Sequence, residues 1–114
     1  MVKLYGIKNC DTVKKARRWL EDHGVEYQFH DFRQNGLDKN LLSNWVEKLG
    51  WESVVNKRST TWRNLSDSEK HLSSNQQAIK LLFKNPTLIK RPVTVIKENI
   101  LIGLKEEDFN KHFN

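Results

Sequence analysis

The sequence predicts an α/β protein whose mixed sheet is built in the order β-α-β … β-β-α around a helical insertion. Three observations support this fold class: a strand, a helix and a strand open the chain, a helical segment fills its middle, and two short strands and a helix end it. With 114 residues the chain is expected to form one domain, residues 1–114, with the insertion at about residues 34–88.

The opening segment has the pattern of a strand–helix–strand unit. Residues from Val2 to Ile7 alternate and are rich in strand formers. The helix that follows is predicted from side chains at helical spacing, Val13, Ala16, Arg17 and Leu20. Gly24 is expected to close it, and residues 26–32 alternate again. Such a crossover unit predicts that the two strands are parallel.

The middle of the chain carries start and stop signals for helices. An amphipathic helix is predicted from near Asp38 to Gly50. The motifs Ser66-x-x-Glu69 and Ser74-x-x-Gln77 fit the capping box that begins a helix, and Pro86 is expected to end the second of these helices.

The last segment predicts a hairpin and a helix. Its strands are Val93–Ile96 and Ile100–Gly103, separated by Lys97-Glu98-Asn99, and its helix covers Lys105 to Phe113. With the insertion set aside, the order of elements is that of a thioredoxin-like domain.

Composition narrows the function classes. The formal net charge of +6 fits an anionic small molecule, an acidic protein or nucleic acid, but no motif supports nucleic acid as a partner. No apolar run approaches the roughly 20 residues that span a bilayer, and no signal-peptide core opens the chain, so a cytoplasmic protein away from membranes is expected. One cysteine and four scattered histidines predict no disulfide and no metal site.

Cys10 stands where a reactive thiol is expected. It follows a strand and a short loop and precedes a helix, whose positive end favours the thiolate, and Lys8, Lys14 and Lys15 add positive potential. The alternative is a structural cysteine. Because the chain has one cysteine, a redox cycle needs a second thiol from glutathione, another small thiol or a partner protein.

The segment Lys90-Arg91-Pro92-Val93 enters the third strand. In a thioredoxin-like order this is the position of a cis-proline, so a cis bond is expected at Pro92, with Arg91 turned toward the thiol. Its guanidinium would stabilise the thiolate and bind an anionic group of the substrate. The alternatives are a trans bond and a surface charge.

Two further features leave alternatives open. His30 and Asp31, near the end of the second strand, fit either a proton relay or a structural hydrogen bond. The Thr12 hydroxyl fits either a hydrogen bond to the Cys10 thiolate or a cap of the first helix.

These residues together resemble the YffB branch of the arsenate reductase (ArsC/Spx) family. The matching stretches are residues 5–20 (YGIKNCDTVKKARRWL), 29–31 (FHD), 49–51 (LGW), 60–63 (TTWR) and 90–92 (KRP). The resemblance implies a thioredoxin-like fold with an inserted helical subdomain, a nucleophilic cysteine at Cys10, and glutathione or glutaredoxin as reductant. Members that reduce arsenate use the cysteine and three arginines.

The three arginines carry over only in part. Arg91 matches the arginine before the cis-proline. The arginine of the insertion falls at Asn56, with Arg58 two positions later, and the third falls near Gly103. Weak or no arsenate reduction is therefore expected.

The sequence thus predicts a glutathione-dependent thiol reductase. Cys10 and Arg91 are its catalytic residues, glutathione is a co-substrate, and no cofactor is bound. The residues expected to contact substrate or glutathione are Asn9, Thr12, Arg58 and Pro92. Two alternatives remain: an Spx-like regulator that binds RNA polymerase without turnover, and a true arsenate reductase that uses glutathione or glutaredoxin.

Overall fold

The computed structural model describes residues 1–113 and divides the chain into two compact units. One unit comprises Met1–Gly36 and the chain from Arg91 onward, and the other comprises Leu37–Lys90. The elements in chain order are β1 (Val2–Gly6), α1 (Asp11–Asp22), β2 (Tyr27–Asp31), α2 (Phe32–Asn35), α3 (Lys39–Leu49), α4 (Trp51–Val54), α5 (Thr60–Arg63), α6 (Asp67–Lys70), α7 (Asn75–Lys84), a 3-10 turn (Pro86–Leu88), β3 (Val93–Ile96), β4 (Asn99–Ile102) and α8 (Glu106–Phe113). The single domain with an insertion at 34–88 stays a prediction.

The first unit contains a four-stranded mixed sheet in the order β2-β1-β3-β4. β1 is parallel to β2 and antiparallel to β3, which is antiparallel to β4. The predicted fold class, a mixed sheet built β-α-β … β-β-α, is confirmed.

The register of the sheet brings three strand ends together. Gly6, the last residue of β1, pairs with Asp31 of β2. On its other side β1 pairs with β3 through Tyr5 and Val93, and continuing this antiparallel register by one residue sets Pro92 beside Gly6. Asp31 and Pro92 therefore flank the point at which β1 leads into the loop before Cys10.

One face of the sheet carries the core that holds α1. Leu4 and Leu101 of the sheet pack with Ala16 and Leu20 of α1 and with Phe109 of α8. Ala16 and Leu20 are fully buried, which is the apolar stripe that helical spacing predicts. This packing sets the axis of the helix that begins after Cys10.

The second unit is helical, and the three helix starts that the sequence predicts are present, with one difference in detail; α4 and α5 were not predicted. Asp38 caps α3, and both halves of the predicted capping box at Ser66 and Glu69 are present. Ser74 caps α7 by accepting from the N–H of Gln77. The Gln77 side chain, however, accepts from the N–H and hydroxyl of Ser73, so the second box is shifted by one residue.

Several strand ends differ from the sequence prediction. β2 stops at Asp31 because its carboxylate caps α2, so Phe32 begins a helix. The hairpin between β3 and β4 has a two-residue turn, because Asn99 already pairs with Ile96 and Lys97 adopts the left-handed region with φ 55°. β4 ends at Ile102, where Gly103 takes φ 76°.

None of the helices in residues 1–113 is both long enough and apolar enough to cross a bilayer.

Gly6 allows the close approach of α1 to β1. A Cβ built on Gly6 would lie 2.7 Å from Cγ2 of Val13, a fully buried residue of α1. Gly6 has no positive φ, so an alanine there would meet a steric conflict and no backbone strain.

We expect Gly6→Ala to destabilise the protein by about 1–3 kcal/mol, the usual range for overpacking. Urea unfolding of Gly6→Ala, Val13→Ala and the double variant measures the effect. Because Val13→Ala removes the methyl groups in conflict, the double variant should be more stable than the sum of the single changes predicts, by on the order of 0.5–3 kcal/mol. Additive losses would show that the conflict with Val13 is not the cause.

Candidate active site

Cys10 is the N-cap of α1. Its backbone is extended, with φ −105° and ψ 126°, and its side chain makes no capping hydrogen bond. Its carbonyl accepts the N–H of Lys14 at 2.9 Å, and its own N–H donates to the carbonyl of Ile7 at 3.2 Å. The half-buried thiol therefore lies at the positive end of a helix and does none of the capping that a residue at this position usually does.

The loop before Cys10 is tied to β2 by the carboxylate of Asp31. Oδ2 of Asp31 accepts the N–H of Lys8 at 3.0 Å, while Oδ1 accepts the N–H of Arg33 at 2.7 Å and that of Gln34 at 3.4 Å. Asp31 is 4% exposed. One buried carboxylate thus holds the loop that leads to Cys10 and the first turn of α2.

Hydrogen bonding keeps Asp31 ionised despite its burial. Burial raises the pKa of Asp31, but the N–H groups of Arg33, Lys8 and Gln34 and the charge of Arg33 outweigh it, so its pKa lies below the ordinary 3.8. The ring of His30 instead hydrogen-bonds through Nε2 to the carbonyl of Gly36 at 2.7 Å. The sequence left a proton relay and a structural hydrogen bond open for His30 and Asp31, and in the structure both side chains make structural hydrogen bonds.

The peptide bond between Arg91 and Pro92 is cis, as the sequence analysis expected. Pro92 is buried and accepts the N–H of Gly103 at 2.8 Å through its carbonyl. Arg91 is half-buried and directly precedes it. The sheet register brings this segment to the strand end that leads to Cys10, and the orientation of the guanidinium toward the thiol stays a prediction.

The other predicted residues near Cys10 are exposed. Asn9 lies in the turn before the cysteine, and Thr12 is the second residue of α1. Thr12 is thus not the helix cap, a position that Cys10 occupies. Contacts of Asn9 and Thr12 with a substrate stay predictions.

Arg58 lies in the second unit, on a turn organised by Asn56. The Asn56 side chain accepts the N–H of Arg58 at 3.0 Å, and its carbonyl accepts the hydroxyl of Ser59 at 3.0 Å. Its own N–H donates to the carbonyl of Leu88 at 2.7 Å. Asn56 therefore has a structural role, and the exposed Arg58 is held by a defined backbone.

The same turn places a lysine against two indole rings. The ammonium of Lys57 lies 5.3 Å from the ring centroid of Trp51 and 5.6 Å from that of Trp62, which is cation–π distance.

No three His, Cys, Asp or Glu side chains come together as a metal ion would require within the described part of the chain.

The sequence analysis missed two features of the site. It gave Gly6 no role, although an isolated glycine inside a strand pattern signals a close backbone approach. It also missed the pairing of Arg17 with the ring and hydroxyl of Tyr27, which no local pattern predicts because ten residues and a helix–strand turn separate the two.

The comparison with protein families agrees with this geometry. The model of the ArsC family matches residues 5–112. An uncharacterized protein of Haemophilus influenzae is 49% identical over 113 residues, 99% of each chain. The global transcriptional regulator Spx of Streptococcus pyogenes is 30% identical over 110 residues, 95% of this chain and 81% of that protein.

Solved structures share the fold over the whole chain. A YffB protein superposes with a TM-score of 0.96 at 39% identity, covering 100% of both chains. An arsenate reductase (ArsC) related protein from Brucella melitensis gives a TM-score of 0.78 at 39% identity, covering 98% of this chain and 93% of that one. An arsenate reductase from Vibrio cholerae, at 18% identity and a TM-score of 0.80, covers 96% of this chain and 95% of that one and shows the fold alone.

We expect Asp31→Asn to destabilise the protein by about 1–3 kcal/mol at neutral pH. The NH₂ group of the new amide would face one of the backbone N–H donors, which would then lack an acceptor. Since the pKa of Asp31 is depressed in the folded state, the stability that its charge contributes is present above the ordinary pKa and is lost as the pH falls through the folded pKa. The difference between wild type and variant should therefore shrink below about pH 4.

Urea unfolding at neutral and acidic pH measures this difference. Asp22→Asn, which neutralises an exposed carboxylate of α1, is the matched control and should change stability little. An equal loss for Asp31→Asn at both pH values would contradict the assigned role of its charge.

Proposed function

Because the chain belongs to the ArsC family, we propose that it is a glutathione-dependent thiol reductase that acts on mixed disulfides through Cys10. The observation that carries this proposal is the state of Cys10: a half-buried thiol at the N-cap of α1, free of capping bonds, in a chain with one cysteine. Such a thiol is suited to a cycle whose second thiol comes from outside.

The cycle has two balanced exchange steps. The Cys10 thiolate attacks the glutathione sulfur of a mixed disulfide, a new disulfide forms between Cys10 and glutathione, and the protein thiolate leaves. A second glutathione thiolate then attacks that sulfur, which gives oxidised glutathione and restores the Cys10 thiolate. Glutaredoxin is the alternative resolving partner. This cycle needs a reducing compartment such as the cytoplasm.

Each of the site residues predicted from the sequence has a role in this proposal. The N-terminus of α1 and the Arg91 guanidinium stabilise the thiolate, and Arg91 binds an anionic group of the substrate. Asn9, Thr12 and Pro92 contact the substrate or glutathione. Arg58 binds a glutathione or substrate carboxylate, a role that rests on the resemblance to the family.

Arsenate is the poorer substrate in this proposal. A hydrated oxyanion needs several charged donors to replace its water. Asn56 stands at one expected arginine position and is engaged with its own turn. Gly103 stands near another, with φ 76°, a conformation that an arginine adopts only with strain.

A second candidate function is a regulator of the Spx kind. The observation in its favour is the 30% identity with the Spx of Streptococcus pyogenes over 95% of this chain. In that case the chain docks on RNA polymerase and turns over no substrate.

The test compares two substrates in assays coupled to NADPH oxidation through glutathione and glutathione reductase. We expect a glutathionylated test protein to turn over at least tenfold faster than arsenate, since each lost charged hydrogen bond is worth roughly 1.5–3 kcal/mol. Arsenate turnover as fast as that of the mixed disulfide would favour the true arsenate reductase. Absence of both activities, together with copurification of RNA polymerase, would favour the regulator.

The variant Cys10→Ser tests whether the sulfur of Cys10 is the reacting atom. It should abolish turnover and yet stabilise the protein by about 0.5–2 kcal/mol, because serine at an N-cap accepts a backbone N–H that Cys10 leaves unpaired. Activity retained in this folded variant would overturn the assignment of Cys10.

Arg91→Ala should slow alkylation of Cys10 by iodoacetamide at neutral pH about tenfold or more, because a charged donor to the thiolate is lost. Arg91→Lys should recover part of the rate, since it restores charge without bidentate geometry. Lys90→Ala, which removes the same charge one residue earlier, is the control. Equal rates in all these proteins would show that Arg91 is a surface charge.

A further inference from the structure

The last turn of α1 carries acidic side chains and no basic one, which is the reverse of what helix electrostatics favours at a C-terminus. Lys14 and Lys15 lie within five residues of the N-cap, whereas Glu21 and Asp22 occupy the last turn. Because a helix carries partial positive charge at its N-terminus and partial negative charge at its C-terminus, Glu21 and Asp22 lie at the unfavourable end, whereas Asp11 in the first turn lies at the favourable one. The acidic last turn therefore lowers the stability of the helix itself.

The other helices of comparable length have basic side chains in their last turns, which is the favourable arrangement at that end. α8 begins with Glu106 and Glu107 and ends with Lys111, while α3 and α7 have Lys48 and Lys84 in their last turns. Within residues 1–113, α1 is the one helix of eight or more residues whose last turn has no basic side chain. When one helix lacks the basic last turn that the others have, a function of that helix is the expected reason.

The cations of α1 form a continuous surface next to Cys10. Lys14, Lys15 and Arg18 are exposed, and we call these three the cationic face of α1. Helical spacing places them on one side, since residues four apart are neighbours on a helix. Their charges lie within about one to two Debye lengths of the thiol at physiological salt, given a rise of about 1.5 Å per residue.

Arg17 borders this face in a fixed orientation. Its Nε donates to the hydroxyl of Tyr27 at 3.0 Å, and its guanidinium carbon lies 4.3 Å from the ring centroid of Phe29. The Tyr27 hydroxyl in turn donates to Glu21 at 3.1 Å. The residues Lys14, Arg17, Arg18, Glu21 and Asp22 line a shallow, open depression of about 440 Å³.

We propose that the cationic face of α1 docks an acidic protein surface and thereby presents that protein's disulfide to Cys10. The inference rests on the proposed function and names its substrate class: protein mixed disulfides bordered by carboxylates. Cations at the positive end of a helix whose N-cap is the thiol raise the potential where an acidic partner must approach, which accelerates encounter.

The size of the face favours a protein over a nucleic acid. From Lys14 to Arg18 it extends only about 6 Å along the helix, at about 1.5 Å per residue, and Glu21 and Asp22 end it on one side while Asp11 ends it on the other. A nucleic acid backbone presents phosphates continuously and would meet these carboxylates. A few carboxylates around one cysteine fit the short face better.

The test uses two synthetic peptides, each with one cysteine joined to 2-thiopyridine by a disulfide. In one peptide the cysteine is flanked by glutamates and in the other by glutamines. Attack by Cys10 on the peptide sulfur forms the Cys10–peptide disulfide and releases 2-thiopyridone, which absorbance measures. The readout is the ratio of the two rate constants at low and high ionic strength.

Wild type should react about tenfold or more faster with the acidic peptide at low salt, and the ratio should approach one at high salt. The variant Lys14→Gln/Lys15→Gln/Arg18→Gln should lose most of this ratio, and a cooperative thermal unfolding transition checks that it is folded, as expected for changes at exposed positions. The control Lys48→Gln/Lys80→Gln/Lys111→Gln removes the same net charge from exposed lysines of other helices and should keep the ratio.

The outcomes separate this inference from the proposed function. Equal rates for both peptides in wild type, or equal loss of the ratio in both triple variants, would overturn the docking proposal and leave the thiol reductase intact. No thiopyridone release from either peptide would overturn both. A third outcome is that the wild type and the control bind a single-stranded DNA oligonucleotide at physiological ionic strength and the α1 variant does not. The partner of the cationic face of α1 would then be a nucleic acid and not an acidic protein.

Discussion

The buried carboxylate of Asp31 is the interaction on which the arrangement around Cys10 depends. It accepts N–H groups from two places in the chain, the loop before Cys10 and the first turn of α2. Burial of an ionised group is costly unless it is hydrogen-bonded, and these bonds hold its pKa below the ordinary value. Because Asp31 pairs with Gly6 in the sheet, one residue links the end of β2, the end of β1 and the approach to the thiol.

α1 is built for its N-terminus at the expense of its own stability. A cysteine whose side chain makes no capping bond occupies the N-cap, and Glu21 and Asp22 lie in the last turn, against the helix dipole. Tertiary packing compensates: Val13, Ala16 and Leu20 are fully buried, and the absence of a side chain at Gly6 lets Val13 approach β1 closely. Stability supplied by the core thus offsets the unfavourable features of the two helix ends.

Asn56 and Gly103 stand where the resemblance to arsenate-reducing members leads one to expect arginines, and both have structural roles. Asn56 organises its turn through its side chain, its carbonyl and its N–H. Gly103 ends β4 with a positive φ and binds the carbonyl of Pro92, so this position serves backbone geometry. Both positions therefore serve local backbone geometry, and the fold by itself does not fix the reaction.

The sequence by itself determined the element order and the helix start at Cys10, because apolar periodicity and caps are local signals. The mixed sheet and the cis bond at Pro92 were expected from that order, which is the order of a thioredoxin-like domain. Only the tertiary structure decided that Asp31 binds the N–H of Lys8 in the loop before Cys10, that β2 ends and a helix begins at Phe32, and that Arg17 pairs with Tyr27. Those contacts join residues that are distant in the chain or depend on one rotamer, and no periodicity encodes them. The pairing register, set by the buried face of the sheet, is what brings Asp31, Gly6 and Pro92 into one row.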